Sequence, residues 1–226
     1  MEYGNIIHGT FVSRPNRFIA NVTVNGSDIQ CHVKNTGRCR ELLIPGADVI
    51  LCEAEGQNRK TEYDLVSVYK NGVLINMDSQ APNKIAAEYI PSLMPDLLEL
   101  KPEVRYGDSR FDFYAKTQSC EAFIEVKGVT LEKDGVALFP DAPTARGVKH
   151  LNGLISAALA GYRAAVIFII QMNSVKYFTP NMETNPEFGK ALIKAHGAGV
   201  EMYAVSCRVS EKVITPGDLV KIVLPE

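Results

Sequence analysis

The sequence predicts a mixed α and β fold in two parts, a small N-terminal β-barrel or sandwich followed by a C-terminal α/β domain. Short strand-like segments separated by tight turns fill residues 1–80, which is typical of small barrels and sandwiches. From residue 81 onward the order becomes helix, three strands, helix, strand, helix and strand. With 226 residues, 46% of them hydrophobic, the chain can build one large domain or two small ones.

Turn signals organise the first domain. Asn25-Gly26 and Asn71-Gly72 are two-residue hairpin signals, and Pro45-Gly46 marks a further turn. The strands predicted between these turns cover residues 9–12, 18–24, 29–33, 48–52, 63–69 and 73–76. We therefore expect residues 1–80 to form a closed five-stranded barrel.

The second domain, residues 81–226, is predicted to begin with a helix over residues 83–90, capped by Asn83 and interrupted by Pro91 and Pro95. Two further helices are expected at residues 146–161, which carry one apolar stripe, and at residues 186–196. The predicted strands are residues 103–106, 110–116, 121–130, 164–171 and 200–209.

Composition excludes several classes of protein. No apolar run is long enough to span a bilayer, and the first ten residues lack signal-peptide features, so we expect a cytoplasmic protein with no membrane partner. The five cysteines are odd in number and fit neither a zinc nor a disulfide spacing. A net charge of −2 provides no overall basic field for coating nucleic acid.

Basic residues are nevertheless concentrated on the predicted barrel. Residues 31–40, CHVKNTGRCR, contain Lys34, Arg38 and Arg40 and no acidic residue, and Arg14 and Arg17 lie upstream. Such a stretch could bind phosphates, because small barrels often bind nucleic acid on one face. It could equally be a solvated loop, and the sequence leaves both interpretations open.

The segments SRFDF (residues 109–113) and FIEVK (residues 123–127) carry the candidate chemistry. A hairpin turning at Gln118-Ser119 would pair residue 112 with 125, 113 with 124 and 111 with 126. Side chains alternate between the faces of a strand. One face would then be apolar and the other charged; the apolar set is Phe111, Phe113, Ile124 and Val126, and the charged set is Arg110, Asp112, Glu125 and Lys127.

This register predicts a metal site. Asp112 and Glu125 would face each other and repel, and a divalent cation would remove that cost. Carboxylate oxygens suit Mg²⁺ or Mn²⁺, with the Val126 carbonyl as a third protein ligand. Lys127 could stabilise a phosphate or help to activate water. The alternative is a solvated polar face on which Lys127 pairs with a carboxylate.

The segment FPDAPTARGVKHL (residues 139–151) joins a proline-rich loop to a helix start. Thr144 is expected to cap the helix, with Arg146, Lys149 and His150 in or next to its first turn, where backbone N–H groups favour anions. We count these three residues as candidate nucleic-acid contacts. The alternative is a capped surface helix with solvated charges and a structural histidine.

Together the motifs resemble the sugar fermentation stimulation protein family (SfsA). The matching stretches, in family order, are RPNRF, HVKNTGR, SRFDF, EVKGVTL, FPDAPTARGVKHL and FIIQMNSVKYFTPN, and they extend over nearly the whole chain. The resemblance implies an OB-like N-terminal barrel, a restriction-endonuclease-like C-terminal domain of the PD-(D/E)XK type, and DNA binding linked to sugar metabolism. It also implies that Asp112, Glu125 and Lys127 are catalytic and that Glu88, on the first helix, joins them. Phe111 stands where the superfamily motif has proline.

Three functions remain open at this stage. The first is Mg²⁺- or Mn²⁺-dependent cleavage of DNA or RNA, with Asp112 and Glu125 as metal ligands and Arg14, Arg17, Lys34, Arg38, Arg40, Arg146, Lys149 and His150 as nucleic-acid contacts. The second is a non-catalytic DNA-binding regulator of sugar (maltose) metabolism genes. The third is a small-molecule or nucleotide enzyme that borrows the fold. A homodimer is an open option for the assembly.

Overall fold

The computed structural model describes residues 1–35, 37–54, 56 and 59–225; Thr36, inside the basic stretch, lies outside them. The N-terminal strands are β1 (Ile6–Asn16), β2 (Ile19–Val24), β3 (Ser27–Val33), β4 (Asp48–Glu53), β5 (Tyr63–Lys70) and β6 (Val73–Asn76). They run in the order β3-β2-β1-β4-β5-β6. Parallel pairing of His32 with Asp64 and of Val33 with Leu65 closes β3 onto β5. The predicted closed five-stranded barrel is confirmed, with β6 as a hairpin extension.

The two Asn-Gly signals form the expected turns. Asn25 and Gly26 both have positive φ values, 49° and 82°, and Asn71 and Gly72 have 51° and 79°. Type I′ turns require positive φ at both central residues, and asparagine and glycine reach this region at the lowest cost. The turns join β2 to β3 and β5 to β6 in register.

The C-terminal domain is an α/β sandwich. Its elements are α1 (Ala81–Leu93), β7 (Leu97–Tyr106), β8 (Ser109–Thr117), β9 (Glu121–Val129), β10 (Leu131–Lys133), β11 (Val136–Phe139), α2 (Ala145–Leu159), β12 (Arg163–Ile170), β13 (Tyr177–Pro180), α3 (Pro186–Gly197), β14 (Glu201–Val209) and β15 (Ile214–Leu219). The main sheet has the order β15-β14-β12-β9-β8-β7, and β10-β11-β13 form a small second sheet. Strands β9, β12 and β14 are parallel to one another.

Helices cover both faces of the main sheet. Ile85 and Ile90 of α1 pack in one apolar cluster with Ile124 and Ile167. The helices α2 and α3 pack in the other cluster, which also contains Phe123. A strand that is covered by helices on both faces has apolar residues at successive positions, which accounts for the sequence AAVIFII in β12. No helix in the described part of the chain is long and apolar enough to cross a bilayer.

Several predicted boundaries were wrong. The helix α1 begins at Ala81, with Gln80 as its N-cap residue, so Asn83 lies inside the first turn and does not cap it. Pro91 is accommodated inside the last turn of α1. The strands β10, β11, β13 and β15 were not predicted, because they are short and two of them contain proline, which is depleted in strands. Thr144 caps α2 as expected, accepting a hydrogen bond from the Gly147 N–H at 2.9 Å.

Gln171, directly after β12, joins the barrel to the main sheet. Its backbone carbonyl accepts from the Asn76 N–H at 2.9 Å. Its side-chain amide donates to Asn76 Oδ1 at 2.9 Å and to the Asp78 carbonyl at 3.0 Å. All of these groups are buried, and buried polar groups that are fully hydrogen-bonded fix one arrangement. The end of the barrel is therefore held against the carboxyl ends of β9 and β12.

Candidate metal-binding site

The hairpin of β8 and β9 has the predicted register, with Phe113 opposite Ile124 and Lys116 opposite Glu121. The ladder stops at Phe113. Beyond it, the Val126 N–H donates to the side chain of Asp112, at 2.7 Å from Oδ2. The carboxylate of Asp112 thus accepts a backbone N–H group of β9 at the point where the ladder between the two strands ends.

This separation of the strands corrects the predicted faces. Phe113, Ile124 and Val126 share the cluster beneath α1, but Phe111 packs in the opposite cluster, with its ring 5.6 Å from that of Phe123. Strict alternation fails because the two strands are no longer paired at Asp112. Arg110 does not join the charged group either, since its exposed side chain pairs with Glu103 at 2.7 Å.

Glu125 is a buried carboxylate with an uneven hydrogen-bond environment. Its side chain is only 2% exposed. Oε1 accepts from Lys127 Nζ at 2.5 Å and from His150 Nδ1. Oε2 is buried and has no hydrogen-bond partner among the residues that the structure describes. Burying a carboxylate oxygen without a partner is costly, so Oε2 is an open ligand position.

His150 connects Glu125 to Arg146. Arg146 Nε donates to His150 Nε2 at 3.3 Å, so Nε2 accepts, and the hydrogen-bond pattern places the proton on Nδ1, from which it is donated to Glu125. The His150 ring is buried. His150 therefore holds the Glu125 carboxylate, and its role as a nucleic-acid contact stays a prediction.

Asp112 and Glu125 have opposite pKa shifts. Burial raises the pKa of Asp112, and the nearby charge of Glu125 raises it further, against the opposing hydrogen bonds from Val126 and Asn83. Burial also acts to raise the pKa of Glu125, but the His150 hydrogen bond and the Lys127 charge outweigh it and leave that pKa lowered. Glu125 is therefore the carboxylate that stays ionised, and Asp112 takes up protons more readily than a free aspartate.

The donor set fits a hard divalent cation. It offers carboxylate oxygens from Asp112 and Glu125, including the unpartnered Oε2, and Mg²⁺ often uses only one or two protein carboxylates with waters. Within the described ranges, no cluster of three or more His, Cys, Asp or Glu side chains is arranged to hold a metal. The side-chain ligands of a cation here would therefore be these two carboxylates, and the Val126 carbonyl, water and substrate oxygens would complete the shell.

The carboxylates line a polar cleft of about 320 Å³ between the barrel and the main sheet. The barrel side contributes Asn35 and Gly37, and the start of α1 contributes Ser79, Pro82 and Asn83. The main sheet and its loops contribute Asp112, Glu125, Val126, Lys127, Gly128, Thr130, Asp141, Arg146 and Gln171. This cleft therefore brings together four of the residues that the sequence singled out: Asp112, Glu125, Lys127 and Arg146.

Glu88 does not belong to this group. Its side chain accepts from the N-terminal ammonium of Met1 at 3.2 Å and does not line the cleft. Asn83, one turn earlier on α1, faces the site and donates to Asp112 Oδ1 at 3.0 Å. The prediction for Glu88 was wrong because helix periodicity alone does not show which face of α1 meets β8.

The predicted basic contacts divide into two groups. Both terminal nitrogens of Arg14 donate to backbone carbonyls, and Lys34 pairs at 3.0 Å with the fully buried Asp78. The terminal nitrogens of these two side chains therefore already have partners within the protein, and their assignment as phosphate contacts stays a prediction. The exposed basic residues are Arg17, Arg38, Arg40, Arg146 and Lys149, of which Arg146 alone lines the cleft.

Sequence reasoning missed Asn83, Asp141 and Gln171 as cleft residues. The sequence did offer a signal for Gln171. Its side-chain amide directly follows the apolar run AAVIFII, and a polar side chain at the end of a buried strand is expected to meet other polar groups. Asn83 was interpreted as a helix cap, although its side chain hydrogen-bonds Asp112. Nothing in the sequence pattern distinguishes Asp141 from an ordinary loop aspartate.

Removing the charge of Asp112 should stabilise the protein when no metal is present. Because the folded-state pKa is raised, ionised Asp112 costs stability above the unfolded pKa of about 3.9. In EDTA at pH 7, Asp112→Asn should therefore raise Tm. An increase of about 1 kcal/mol in the free energy of unfolding corresponds to roughly 2–4 °C for a chain of this size. The difference from wild type should shrink as the pH falls toward 4. A lower Tm for Asp112→Asn in EDTA would identify Asp112 as part of a structural ion pair.

Comparisons with known proteins agree with this architecture. A family model described as the sugar fermentation stimulation protein RE domain matches residues 80–213, and one described as the SfsA N-terminal OB domain matches residues 12–77. Sugar fermentation stimulation protein homologs from Desulfitobacterium hafniense (strain Y51) and Clostridium beijerinckii are 55% and 51% identical, covering 100% and 99% of this chain and 100% of each relative. The structure of Pyrococcus furiosus SfsA in complex with Ca²⁺ is similar with a TM-score of 0.87 and 30% identity, covering 99% of this chain and 98% of that one.

Proposed function

The chain belongs to the sugar fermentation stimulation protein family, and from this premise we propose that it is a divalent-cation-dependent nuclease acting on DNA or RNA. The observation that carries the proposal is the buried Glu125 carboxylate, whose Oε2 has no hydrogen-bond partner in the described chain, in a cleft shared with Asp112 and Lys127. The Ca²⁺ in the similar Pyrococcus furiosus structure supports a divalent cation, and the carboxylate donors favour Mg²⁺ or Mn²⁺.

Asp112 and Glu125 would hold the cation, with the Val126 carbonyl as a further ligand. When bound, the cation would supply polarisation of the phosphodiester and activation of water. The Lys127 ammonium, held beside Glu125, would stabilise negative charge that develops on the phosphate. His150 and Arg146 keep the Glu125 carboxylate in one orientation, and fixed ligands reduce the cost of binding and reaction.

The direct test is a cleavage assay. Wild-type protein is incubated with mixed single- and double-stranded DNA and RNA in Mg²⁺ or Mn²⁺, and parallel reactions contain EDTA. Products that form with metal, disappear with EDTA and are absent for Asp112→Asn would support the proposal. No cleavage of any substrate, or cleavage that persists in Asp112→Asn, would contradict it.

A second candidate function is nucleic-acid binding without cleavage, as in a DNA-binding regulator. The exposed Arg17, Arg38 and Arg40 on the barrel favour it, because phosphate contacts of this kind require no metal. The same assay separates the two candidates: a regulator would bind DNA with equal affinity in EDTA and Mg²⁺ and leave it intact.

Binding should depend on the barrel arginines. The double substitution Arg38→Ala and Arg40→Ala should weaken nucleic-acid binding and reduce its salt slope by about 1–2, because each lost phosphate contact removes roughly 0.7–0.9 from that slope. Fluorescence anisotropy across a salt titration provides the measurement. The matched control is Lys101→Ala with Arg208→Ala, which removes two exposed cations from the main sheet. Equal slopes for the two double variants would assign Arg38 and Arg40 to a solvated loop.

A further inference from the structure

Phe18, in the turn between β1 and β2, is an aromatic side chain displayed on a fixed backbone. Its residue is 50% exposed. Its N–H donates to Asn16 Oδ1 at 2.8 Å, and its carbonyl accepts from the Val33 N–H at 2.7 Å. The backbone is therefore held on both sides while the ring is directed in large part to solvent. An exposed ring contributes little to the core, which leaves its surface available to a ligand.

Arg14 connects this turn to the polar cleft. One guanidinium nitrogen, Nη2, donates to the carbonyls of Arg17 at 2.7 Å and Asn35 at 2.6 Å. The other, Nη1, donates to the carbonyls of Gly37 and Arg38, both at 2.9 Å. Asn35 and Gly37 line the cleft. A single planar group thus ties the Phe18 turn to the cleft wall, and it sets the backbone positions of Arg17 and Arg38.

The chemistry of this surface fits an unpaired polynucleotide. Arg17 precedes Phe18 in the chain, and the backbone carbonyls of Arg17 and Arg38 both accept from Arg14. The exposed side chains of Arg17 and Arg38 can neutralise phosphates, while the Phe18 ring can stack on a base. A duplex hides its base faces, so this stacking requires an unpaired base. Other exposed apolar side chains, such as Leu98 and Leu159, are aliphatic and cannot stack on a base in this way.

We propose that Phe18, Arg17 and Arg38 form a binding site for single-stranded nucleic acid that leads into the cleft. The inference rests on the proposed function for its site of action and deepens it, because it names single strands or unpaired ends as the substrate class. Arg14 acts through the backbone as a positioning residue for this site.

The chain contains no tryptophan, so Phe18→Trp introduces a single fluorescent reporter at the proposed site. It is titrated in EDTA with oligothymidylate, oligouridylate and a blunt duplex. We expect quenching by the single strands, and the oligothymidylate and oligouridylate arms show whether DNA or RNA is preferred. Leu159→Trp, at a position that is 78% exposed, is the control and should not be quenched. Equal quenching of both reporters would overturn the inference.

Affinity provides the second readout. Phe18→Ala should lower single-strand affinity on the order of tenfold and leave duplex affinity unchanged, whereas Phe18→Tyr should retain wild-type affinity. Thermal melts confirm that each variant is folded. An equal loss for both substrates, or no loss, would overturn the inference. Because binding is measured in EDTA, a wild-type protein that does not cleave would contradict only the proposed function. If wild type cleaves but Phe18→Ala binds single strands with unchanged affinity, only this inference is contradicted.

Discussion

Replacing Glu125 by glutamine is expected to abolish divalent-cation binding and to lower the rate of nucleic-acid cleavage by about 10²–10³. The wild-type carboxylate stays ionised despite its burial because His150 and Lys127 lower its pKa. Glutamine loses the charge and replaces one carboxylate oxygen by an NH₂ group, which cannot ligate a cation. Calorimetric titration with Mn²⁺ and single-turnover cleavage measure the two losses.

Glu201→Gln is the matched control for this substitution. Glu201 is a partly buried carboxylate on the same sheet, and it pairs with Arg163 at 2.6 Å. It lies outside the cleft lined by Asp112 and Glu125. Its loss should affect stability and leave Mn²⁺ affinity unchanged. If Glu125→Gln binds Mn²⁺ as tightly as Glu201→Gln does, Glu125 is not a ligand and the proposed site is wrong.

Local rules accounted for much of the fold. The Asn-Gly turns were predictable because the backbone conformation depends on two adjacent residues. The pairing of Phe113 with Ile124 followed from the turn position, since antiparallel partners sum to a constant. The same rule failed next to this pair, where the Asp112 side chain accepts the Val126 N–H and the alternation of side chains along β8 breaks.

The remaining differences arise from contacts between distant segments. The sequence alone does not distinguish Arg14 from Arg17. In the structure, the terminal nitrogens of Arg14 donate to four backbone carbonyls, whereas Arg17 is exposed. The same holds for Glu88 and Asn83 on α1. Which of them meets Asp112 depends on how α1 is rotated against β8 and β9, and long-range packing determines that rotation.

Lys127→Met should separate metal binding from catalysis. The substitution removes the ammonium that donates to Glu125 Oε1 and keeps a chain of similar length. At pH 8 the negative charges of Asp112 and Glu125 would then lack the neighbouring positive charge of Lys127, so the affinity of the site for Mn²⁺ should be retained or increased. Cleavage should fall by roughly 10²–10³, because charge on the phosphate loses its stabilising cation.

The pH dependence of Lys127→Met provides an independent check. The Lys127 charge lowers the pKa of both Glu125 and Asp112, so its removal should raise both. Protons should then compete with Mn²⁺ at higher pH, and the pH at which half of the metal is lost should move upward relative to wild type. Lys127→Arg, which keeps a positive charge, should leave that midpoint near the wild-type value. If Lys127→Met loses Mn²⁺ binding at pH 8, the lysine supports the structure of the site and has no separate role in the reaction.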